Sequence, residues 1–325
     1  MSMAQFAYLI FSHTNPTQVL RLAKAIRRSS RFAHIVIHHD ISKSRLHVPD
    51  GAQVHLIPNP VAVEWADFSQ VEMFLHSTAW ILEHLAFDWL VVISGQDYPV
   101  EPLADFEARL ETSGQDAFAE HFPALTAATW PKHTGERRYY FRYCRVPRIA
   151  HYYMLPESLK RRLNGAKSWF NDAQPFVTIR TGPRKIPTQV GLRRLRVPFN
   201  GDFVCYGGAD WFNLNKKSVR KIHEFVIDHP RVVNHYRSTY LPSESFVPTI
   251  LLNDPDLRVF NDSCRYVAWE GTSAASPRII RASDLDKVFE SRHPFARKFD
   301  ENIDADVLDL LDARIETMQE SDGRS

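Results

Sequence analysis

Glu244 is the side chain whose neighbours best fit proton removal from a hydroxyl group. It follows Pro242 and Ser243 at the start of a predicted helix. A carboxylate held against a hydroxyl can take its proton as that oxygen attacks an electrophilic carbon. The structural alternative is an acid that complements the helix dipole, with Ser243 as the helix cap. Glu244 is therefore a candidate general base that needs support from elsewhere in the chain.

Two other segments provide that support. Gly207-Gly208-Ala209-Asp210-Trp211-Phe212 precedes Glu244, and Arg297-Lys298 follows it. The glycines permit close approach of the backbone to a neighbour. Asp210 offers hydrogen-bond acceptors and Trp211 a flat apolar face, which together suit a sugar ring. The three segments favour a carbohydrate site.

The elements that must position these residues follow an alternating pattern. Apolar runs typical of buried strands occur at Phe6–Phe11, Ile35–Ile37, Val54–Ile57 and Trp89–Ile93. Helical spacing follows Asn15-Pro16, an N-cap with proline at the first helical position, and recurs from Val71 to Leu85, about Lys217 to Ile227 and about Ser243 to Leu252. This order predicts an α/β fold with a mostly parallel central sheet and helices on both faces. Ligands of such sheets bind beyond the carboxyl ends of the strands, where Asp40 and Ser94 to Asp97 stand.

Bulk composition limits the partners and the compartment. Forty Lys and Arg residues against 38 acids give a balance too even to predict nucleic-acid binding. The N-terminal apolar run has no preceding positive charge, and no segment approaches the roughly 20 apolar residues of a membrane helix. The sequence therefore predicts a cytoplasmic protein with at most peripheral contact with the inner membrane. It does not indicate an oligomeric state.

Four segments, in consistent order, resemble the core-2/I-branching enzyme family, which contains β-1,6-N-acetylglucosaminyltransferases and peptide O-xylosyltransferases. They are Ser94-Gly95-Gln96-Asp97-Tyr98-Pro99, Gly208-Ala209-Asp210-Trp211-Phe212-Asn213-Leu214, Tyr240-Leu241-Pro242-Ser243-Glu244-Ser245-Phe246 and Phe295-Ala296-Arg297-Lys298-Phe299-Asp300. The resemblance covers roughly residues 6 to 300 and is weakest between 120 and 200.

The resemblance implies a single catalytic domain of the GT-A glycosyltransferase type over residues 1–325. Residues 1–125 would form the nucleotide-binding half. Residues 126–300 would form the acceptor-binding half, with a basic excursion at 131–198. Residues 301–325 would form an amphipathic helix from Glu301 to Met318 and a frayed tail from Gln319 to Ser325.

The resemblance also implies roles for single residues. Glu244 would be the general base, and Lys298 with Arg297 would neutralise the leaving diphosphate, joined by Arg278 or Arg281. The other donor-binding residues would be Phe11, Ser12, His13, Asp40, Trp65 and Asp97. The acceptor-binding residues would be Asp210, Trp211, Trp269, Glu136 and Arg142.

Structural alternatives stay open for several of these residues. Asp40 can instead cap a turn, and Trp65 can belong to the core. Trp269 can be a buried strand tryptophan. Glu136 and Arg142, with Tyr143, can belong to a solvated basic patch.

Metal ligands are the remaining question for such an enzyme. Three Asp-x-Asp triplets occur, at Asp254-Pro255-Asp256, Asp284-Leu285-Asp286 and Asp304-Ala305-Asp306. The first contains proline and favours a solvated loop, and the others fall on predicted helices, where aspartates two apart do not share a face. Neither the three cysteines nor the histidines show metal-ligand spacing. We therefore expect no metal and no cofactor.

The resulting hypothesis is an inverting glycosyltransferase that moves GlcNAc or xylose from a UDP-sugar to a hydroxyl of a glycan or lipid-linked glycan. The lack of an anchor and of disulfide cysteines predicts a bacterial version of the family. One alternative is a non-catalytic protein that binds carbohydrate or nucleotide. Another is a metal-dependent sugar-phosphate hydrolase that uses one of the Asp-x-Asp triplets.

Overall fold

The computed structural model describes residues 4–49, 53–126, 129–131, 133–146, 155–181, 188–270 and 276–322. The strands of this part of the chain are β1 (Phe6–Ser12), β2 (His34–His39), β3 (Val54–Leu56), β4 (Trp89–Ser94), β5 (Asp97–Pro99), β6 (Ala117–Pro123), β7 (Phe141–Arg145), β8 (Val177–Arg180), β9 (Gln189–Arg193), β10 (Tyr206–Asn215), β11 (Val259–Phe260), β12 (Arg265–Val267) and β13 (Phe295–Arg297). The helices are α1 (Pro16–Ser29), α2 (Ser69–His84), α3 (Leu103–Thr112), α4 (Thr134–Tyr139), α5 (Glu157–Ala173), α6 (Lys216–Asp228), α7 (Pro230–Tyr236), α8 (Ser243–Asn253), α9 (Leu285–Glu290) and α10 (Asp306–Asp322), with a 3-10 turn at Ala282–Asp284.

A central sheet carries the fold. Within the described ranges it has seven strands in the order β11-β6-β10-β4-β1-β2-β3. Neighbouring strands are parallel except where β10 pairs with β4 and β6. The predicted α/β class with a mostly parallel sheet is confirmed, and it is consistent with the GT-A type. Strands β10 and β11, from the second predicted half of the chain, share this sheet with strands of the first half.

The alternation of side chains along β1 explains the layers. Tyr8 and Ile10 pack into one core with α1, α3 and α10, while Ala7 and Leu9 pack into a second core with α2, α6 and α8. Successive residues of a strand point to opposite faces, so a continuous apolar run requires cover on both sides. The predicted helices on both faces are confirmed.

The antiparallel strand β10 contains an irregularity that frees two predicted site residues. Its register with β6 shifts between Gly208 and Phe212, so Asp210 and Trp211 lie in a bulge. Gly208 passes so close to β6 that an added Cβ would stand 1.9 Å from the Glu120 carbonyl oxygen. The predicted close approach at this glycine exists, but the neighbour is the protein's own backbone.

The basic excursion has structure of its own. Strands β7, β9 and β8 form a separate antiparallel sheet of three strands in the described chain, and α5 lies beside β8. Another small sheet, β12-β13-β5, carries the Arg297 segment next to the end of β4.

One prediction about helix ends is confirmed and two are wrong. Asn15 occupies the N-cap position of α1 and Pro16 the first helical position, as predicted, although the Asn15 side chain donates to Asp300 and does not cap the helix. Ser243 is the first residue of α8, after Pro242, and its hydroxyl makes no cap hydrogen bond. The last helix continues through Gln319 to Asp322, because it packs on α1 and Gln319 donates to the Arg28 carbonyl. Residues 323–325 lie outside the described residues.

None of the helices in the described ranges combines the length and apolarity needed to cross a bilayer.

Candidate active site

A cleft of about 1040 Å³ opens beyond the carboxyl ends of β1, β2 and β4. It lies where ligands of parallel sheets bind. The structure brings eight of the predicted site residues into its wall: Phe11, Ser12, His13, Asp40, Trp65, Asp210, Trp211 and Arg297. These residues come from both halves of the sequence, and the central sheet brings them together.

Asp40 stands at the end of β2 and is almost fully buried. Its carboxylate accepts hydrogen bonds from the Ser42 backbone and hydroxyl and from the Val63 backbone at 2.6–3.0 Å. Burial opposes ionisation, but these hydrogen bonds outweigh it and lower the pKa of Asp40. The turn-capping contacts expected in the structural alternative are therefore present, and they hold an ionised carboxylate at the cleft.

Two buried histidines, His38 and His39, lie behind the wall at the same end of the cleft. Ser12 Oγ lies 2.8 Å from His39 Nδ1, and the Val61 backbone donates to His38 Nε2 at 2.9 Å. Burial lowers the pKa of both rings, that of His38 to about 4. Both imidazoles are thus neutral at pH 7, and His38 must carry its proton on Nδ1 because Nε2 accepts.

Trp65 lies on the loop between β3 and α2 and is 46% exposed, which excludes the alternative of a core tryptophan. Its ring meets Tyr240 edge-on, with centroids 6.0 Å apart. Arg145, at the end of β7, holds this loop through ion pairs to Glu64 and Asp67, each at 2.5 Å. The exposed indole is available to cover a planar ligand in the cleft.

Asp97 is fully buried below the cleft wall instead of facing a ligand. It accepts from the Ser94 backbone at 2.9 Å and faces the side chains of Arg265 and Arg297 at 3.4 and 3.5 Å. The Arg297 guanidinium then lies over the Trp211 ring, 4.1 Å from its centroid. In this arrangement Asp97 positions Arg297, and Arg297 presents the positive charge.

Glu244 lies in the first turn of α8 and is ion-paired with Arg138. The Arg138 guanidinium also lies over the Trp130 ring, 4.3 Å from its centroid. The Glu244 side chain remains 28% exposed. Ser243 and Val247 of the same helix line the cleft, whereas Glu244 itself lies outside the cleft wall, at its margin.

Asp210 is the second carboxyl group of this region. Its pKa is raised to about 7, first by burial and then by the charge of Glu244, while Ser243 and the cations of Arg297 and Arg138 act in the opposite direction. Two nearby carboxylates cannot both ionise as easily as one alone. The pair therefore combines a carboxylate held by Arg138 with a carboxyl that changes protonation near neutral pH.

Several predicted residues lie outside the cleft wall. Lys298 follows Arg297, but its side chain does not line the cleft. Arg278 is bound by both oxygens of Asp284 at 2.5 and 2.7 Å, and Arg281 is exposed beside it. Trp269 is 56% exposed, which excludes a buried strand tryptophan.

The segment Gly135–Tyr143 is not a solvated patch. Glu136 pairs with Arg193 at 2.5 Å in a neighbouring depression, and the pKa of this half-buried acid is lowered because that pair and His133 outweigh desolvation. Tyr143 accepts from Arg180 Nε at 2.9 Å. Arg142 is exposed on β7.

The Asp-x-Asp triplets also lie outside the cleft wall. Asp254 and Asp256 are paired with Lys221 at 3.5 and 3.0 Å, and Asp304 accepts backbone hydrogen bonds before α10. In the described residues no group of three or more His, Cys, Asp or Glu side chains has an arrangement that could hold a metal ion. The three cysteines are unpaired.

Sequence reasoning missed three arginines, Arg138, Arg145 and Arg265. Each lies in a segment that also carries other Arg residues or a motif, so its residue type alone does not distinguish it from its neighbours. Arg265 is fully buried and donates to the Ser263 carbonyl at 2.7 Å. The signal that was available is aromatic company: Arg138 and Arg145 flank Tyr139-Tyr140-Phe141 and Tyr143, and a basic run rich in aromatics is unusual for a solvated surface.

Known proteins resemble this chain over most of its length. The sequence model of the Core-2/I-Branching enzyme family matches residues 6–289. The chain is 27% identical to Xylosyltransferase 2 of Homo sapiens and 25% identical to Xylosyltransferase 1 of Canis lupus familiaris. These alignments cover 95% of this chain but 33% and 30% of the relatives, so the chain spans about a third of the length of the curated relatives it matches.

Among solved structures, 2-C-methyl-D-erythritol 4-phosphate cytidylyltransferase from Thermus thermophilus aligns with 87% of this chain and 96% of its own, at 11% identity and a TM-score of 0.29. That likeness is too weak to inform fold or function. The family match is different, because it spans the central sheet, the Glu244 segment and the cleft residues other than Arg297. The chain belongs to the Core-2/I-Branching enzyme family.

Proposed function

We propose that this glycosyltransferase moves a sugar from a UDP-sugar to an acceptor hydroxyl with inversion, and that Glu244 is the general base. The observation that carries the proposal is that Asp210 and Arg297 line one cleft and that Glu244, at its margin, lies near enough to Asp210 for its charge to raise the pKa of that acid. A carboxylate at the cleft margin, a carboxyl in its wall and a fixed cation are the groups such a transfer needs.

The donor would occupy the end of the cleft beyond β1 and β2. There Asp40 presents an ionised carboxylate to the polar groups of a uridine, and Trp65 presents an indole face to a planar or sugar surface. Arg297, fixed by Asp97 and Trp211, would face the diphosphate. Lys298 is the adjacent candidate for a second cation, with Arg278 held by Asp284 and Arg281 left exposed.

The acceptor would enter beside Glu244. As the acceptor oxygen attacks the anomeric carbon, its proton passes to the Glu244 carboxylate and the bond to the diphosphate breaks. One displacement of this kind inverts the configuration at the anomeric carbon. Negative charge develops on the leaving UDP, and Arg297 is placed to stabilise it. We expect no requirement for a divalent metal.

Xylose and GlcNAc are the sugars we propose, and the names of the xylosyltransferase relatives support testing xylose first. The acceptor we propose is a glycan or a lipid-linked glycan. Trp211 and Asp210 would hold the acceptor sugar, with Trp269, Glu136 and Arg142 at more distant positions.

The test is the reaction itself. With UDP-xylose and UDP-GlcNAc as α-linked donors, we expect a β-linked product by proton NMR and full activity in EDTA. An α-linked product contradicts direct displacement by a single base. Binding of UDP without transfer to any acceptor supports a non-catalytic binding protein instead. Release of free sugar that stops in EDTA supports a metal-dependent hydrolase.

A further inference from the structure

Helix α5 packs on the protein through polar side chains and exposes apolar ones to solvent, the reverse of an ordinary surface helix. In the described part of the chain it buries no residue. Its least exposed side chains are polar and face the protein: Asn171 exchanges hydrogen bonds with the Ile179 backbone at 2.8 and 3.0 Å, and Lys167 donates to Thr181 at 2.5 Å. Asp172 on the same side pairs with Arg137 at 2.5 Å.

The large apolar residues of α5 are exposed to solvent: Leu159, Leu163 and Phe170 by 36–43%, next to the side of the helix that packs on the protein, and Trp169 further round. Leu159, Leu163 and Phe170 recur at i, i+4 and i+11 and form one exposed stripe, with Trp169 beside it at 72% exposure. On the adjoining small sheet and its exit, Phe176, Leu192 and Leu195 are exposed as well. We name these seven residues the apolar face. An apolar stripe that faces water on a helix held by its polar side requires an external partner.

The charge around the apolar face identifies the partner. Residues 155–181 and 188–196 contain eight Lys or Arg and two acids, whereas the whole chain has a net charge of only +2. The rest of the chain is therefore net negative. On α5 itself, Arg161 and Arg162 are exposed, and Arg196 is exposed beside Leu195. Basic residues flanking a stripe of Leu, Phe and Trp are the features of a helix that lies in the interface of an anionic bilayer.

We propose that the apolar face docks this protein onto an anionic lipid bilayer. An anionic bilayer offers an apolar interior to the seven apolar residues and negative headgroups to the surrounding cations. A protein partner would need both features on one surface. Trp169 would lie at the level of the lipid headgroups, and Leu159, Leu163 and Phe170 would enter the acyl boundary.

This docking surface adjoins the cleft. Arg145 and Gln189 are paired on neighbouring strands of the small sheet, and both line the cleft. Helix α5 lies on the far strand of the same sheet. A docked protein would thus hold the cleft close to the membrane. The choice of acceptor rests on the proposed function. Docking favours a lipid-linked glycan, because its sugar lies at the bilayer surface.

Vesicle sedimentation of the full chain tests the docking. We expect binding to vesicles of phosphatidylcholine with phosphatidylglycerol, weaker binding in high salt, and little binding to phosphatidylcholine alone. Two double variants, W169S/F170S and R161E/R162E, should each weaken binding by at least about tenfold. The controls are I227S and R220E on α6, where Ile227 and Arg220 are exposed outside the apolar face. They should bind as wild type does.

Circular dichroism and UDP binding verify that each variant is folded. Binding that is unchanged in W169S/F170S, or that ignores lipid charge, overturns the proposal. So does a dimer in sedimentation velocity that W169S/F170S dissociates, because a second copy would then cover the face. Transfer to a water-soluble acceptor without vesicle binding defeats the docking alone. Vesicle binding without transfer to any acceptor defeats the proposed function alone.

Discussion

At the residue scale, two neighbouring carboxyl groups have different environments: Asp210 lines the cleft and Glu244 lies at its margin. Glu244 has a cation, Arg138, as its direct partner, whereas Asp210 is buried near that pair and near Arg297. Pairs of acids whose surroundings separate their protonation behaviour are common at sites of proton transfer. The structure thus distinguishes two acids whose roles the sequence indicates only through the family resemblance.

Asp210 gives a prediction about stability. Its folded-state pKa of about 7 lies above the usual value of 3.8, so the native state binds more protons than the unfolded state between these values. Stability therefore falls as pH rises through this window, by at most about 1.4 kcal/mol per pH unit. Asp210→Asn should remove that loss.

Urea unfolding from about pH 5 to about pH 8 provides the measurement. We expect the stability of D210N relative to wild type to increase with pH up to about 7 and then to level off. The exposed Asp202 supplies a control, D202N, for the effect of an added amide. A difference between D210N and wild type that is flat or decreases with pH would show that Asp210 does not hold its proton in the folded protein.

At the element scale, the bulge in β10 places Asp210 and Trp211 in the cleft, and Gly208 makes the bulge possible. An alanine Cβ there would meet the Glu120 carbonyl oxygen at 1.9 Å, so the backbone of one strand must move. We expect Gly208→Ala to cost about 2 to 4 kcal/mol of folding free energy and to lower sugar transfer. Chemical denaturation measures the first effect.

Gly201→Ala is the matched control, because an added Cβ at Gly201 meets no atom within 4 Å. It should change stability by less than about 1 kcal/mol. Equal stability of the two alanine variants would mean that Gly208 does not approach β6 as the structure has it.

The elements were predictable where one local pattern dominates. The apolar runs of β1 and β4 identify central strands, since a parallel strand is covered on both faces. Helix ends were less predictable because tertiary contacts decide them. Asn15 is drawn to Asp300, and Gln319 is held by α1, and both partners are distant in sequence. The exposed stripe of α5 follows helical spacing, but which face meets the protein depends on β8.

At the scale of the whole molecule, the cleft is assembled from segments that span most of the chain. Asp40 and Trp65 come from early loops, Asp210 from the antiparallel strand, Ser243 from α8, which carries Glu244 at the margin, and Arg297 from a separate small sheet. The motifs predicted most of these positions. The ion pairs of Arg138 and Arg145 were not predictable, because each partner lies far away in sequence.

This assembly separates donor binding from proton transfer. Asp40, Trp65 and Arg297 reach the cleft without contacting Glu244, so loss of the Glu244 carboxylate should leave UDP binding intact. Glu316 on α10 offers a matched control, because it is also ion-paired with an arginine, Arg28, and neither it nor its sequence neighbours line the cleft.

The decisive measurement is the rate of sugar transfer by Glu244→Gln beside its affinity for UDP. We expect transfer to fall by at least about 100-fold, with UDP affinity within about threefold of wild type and Glu316→Gln unchanged in both. Transfer by E244Q at the wild-type rate would contradict the assignment of Glu244 as the general base.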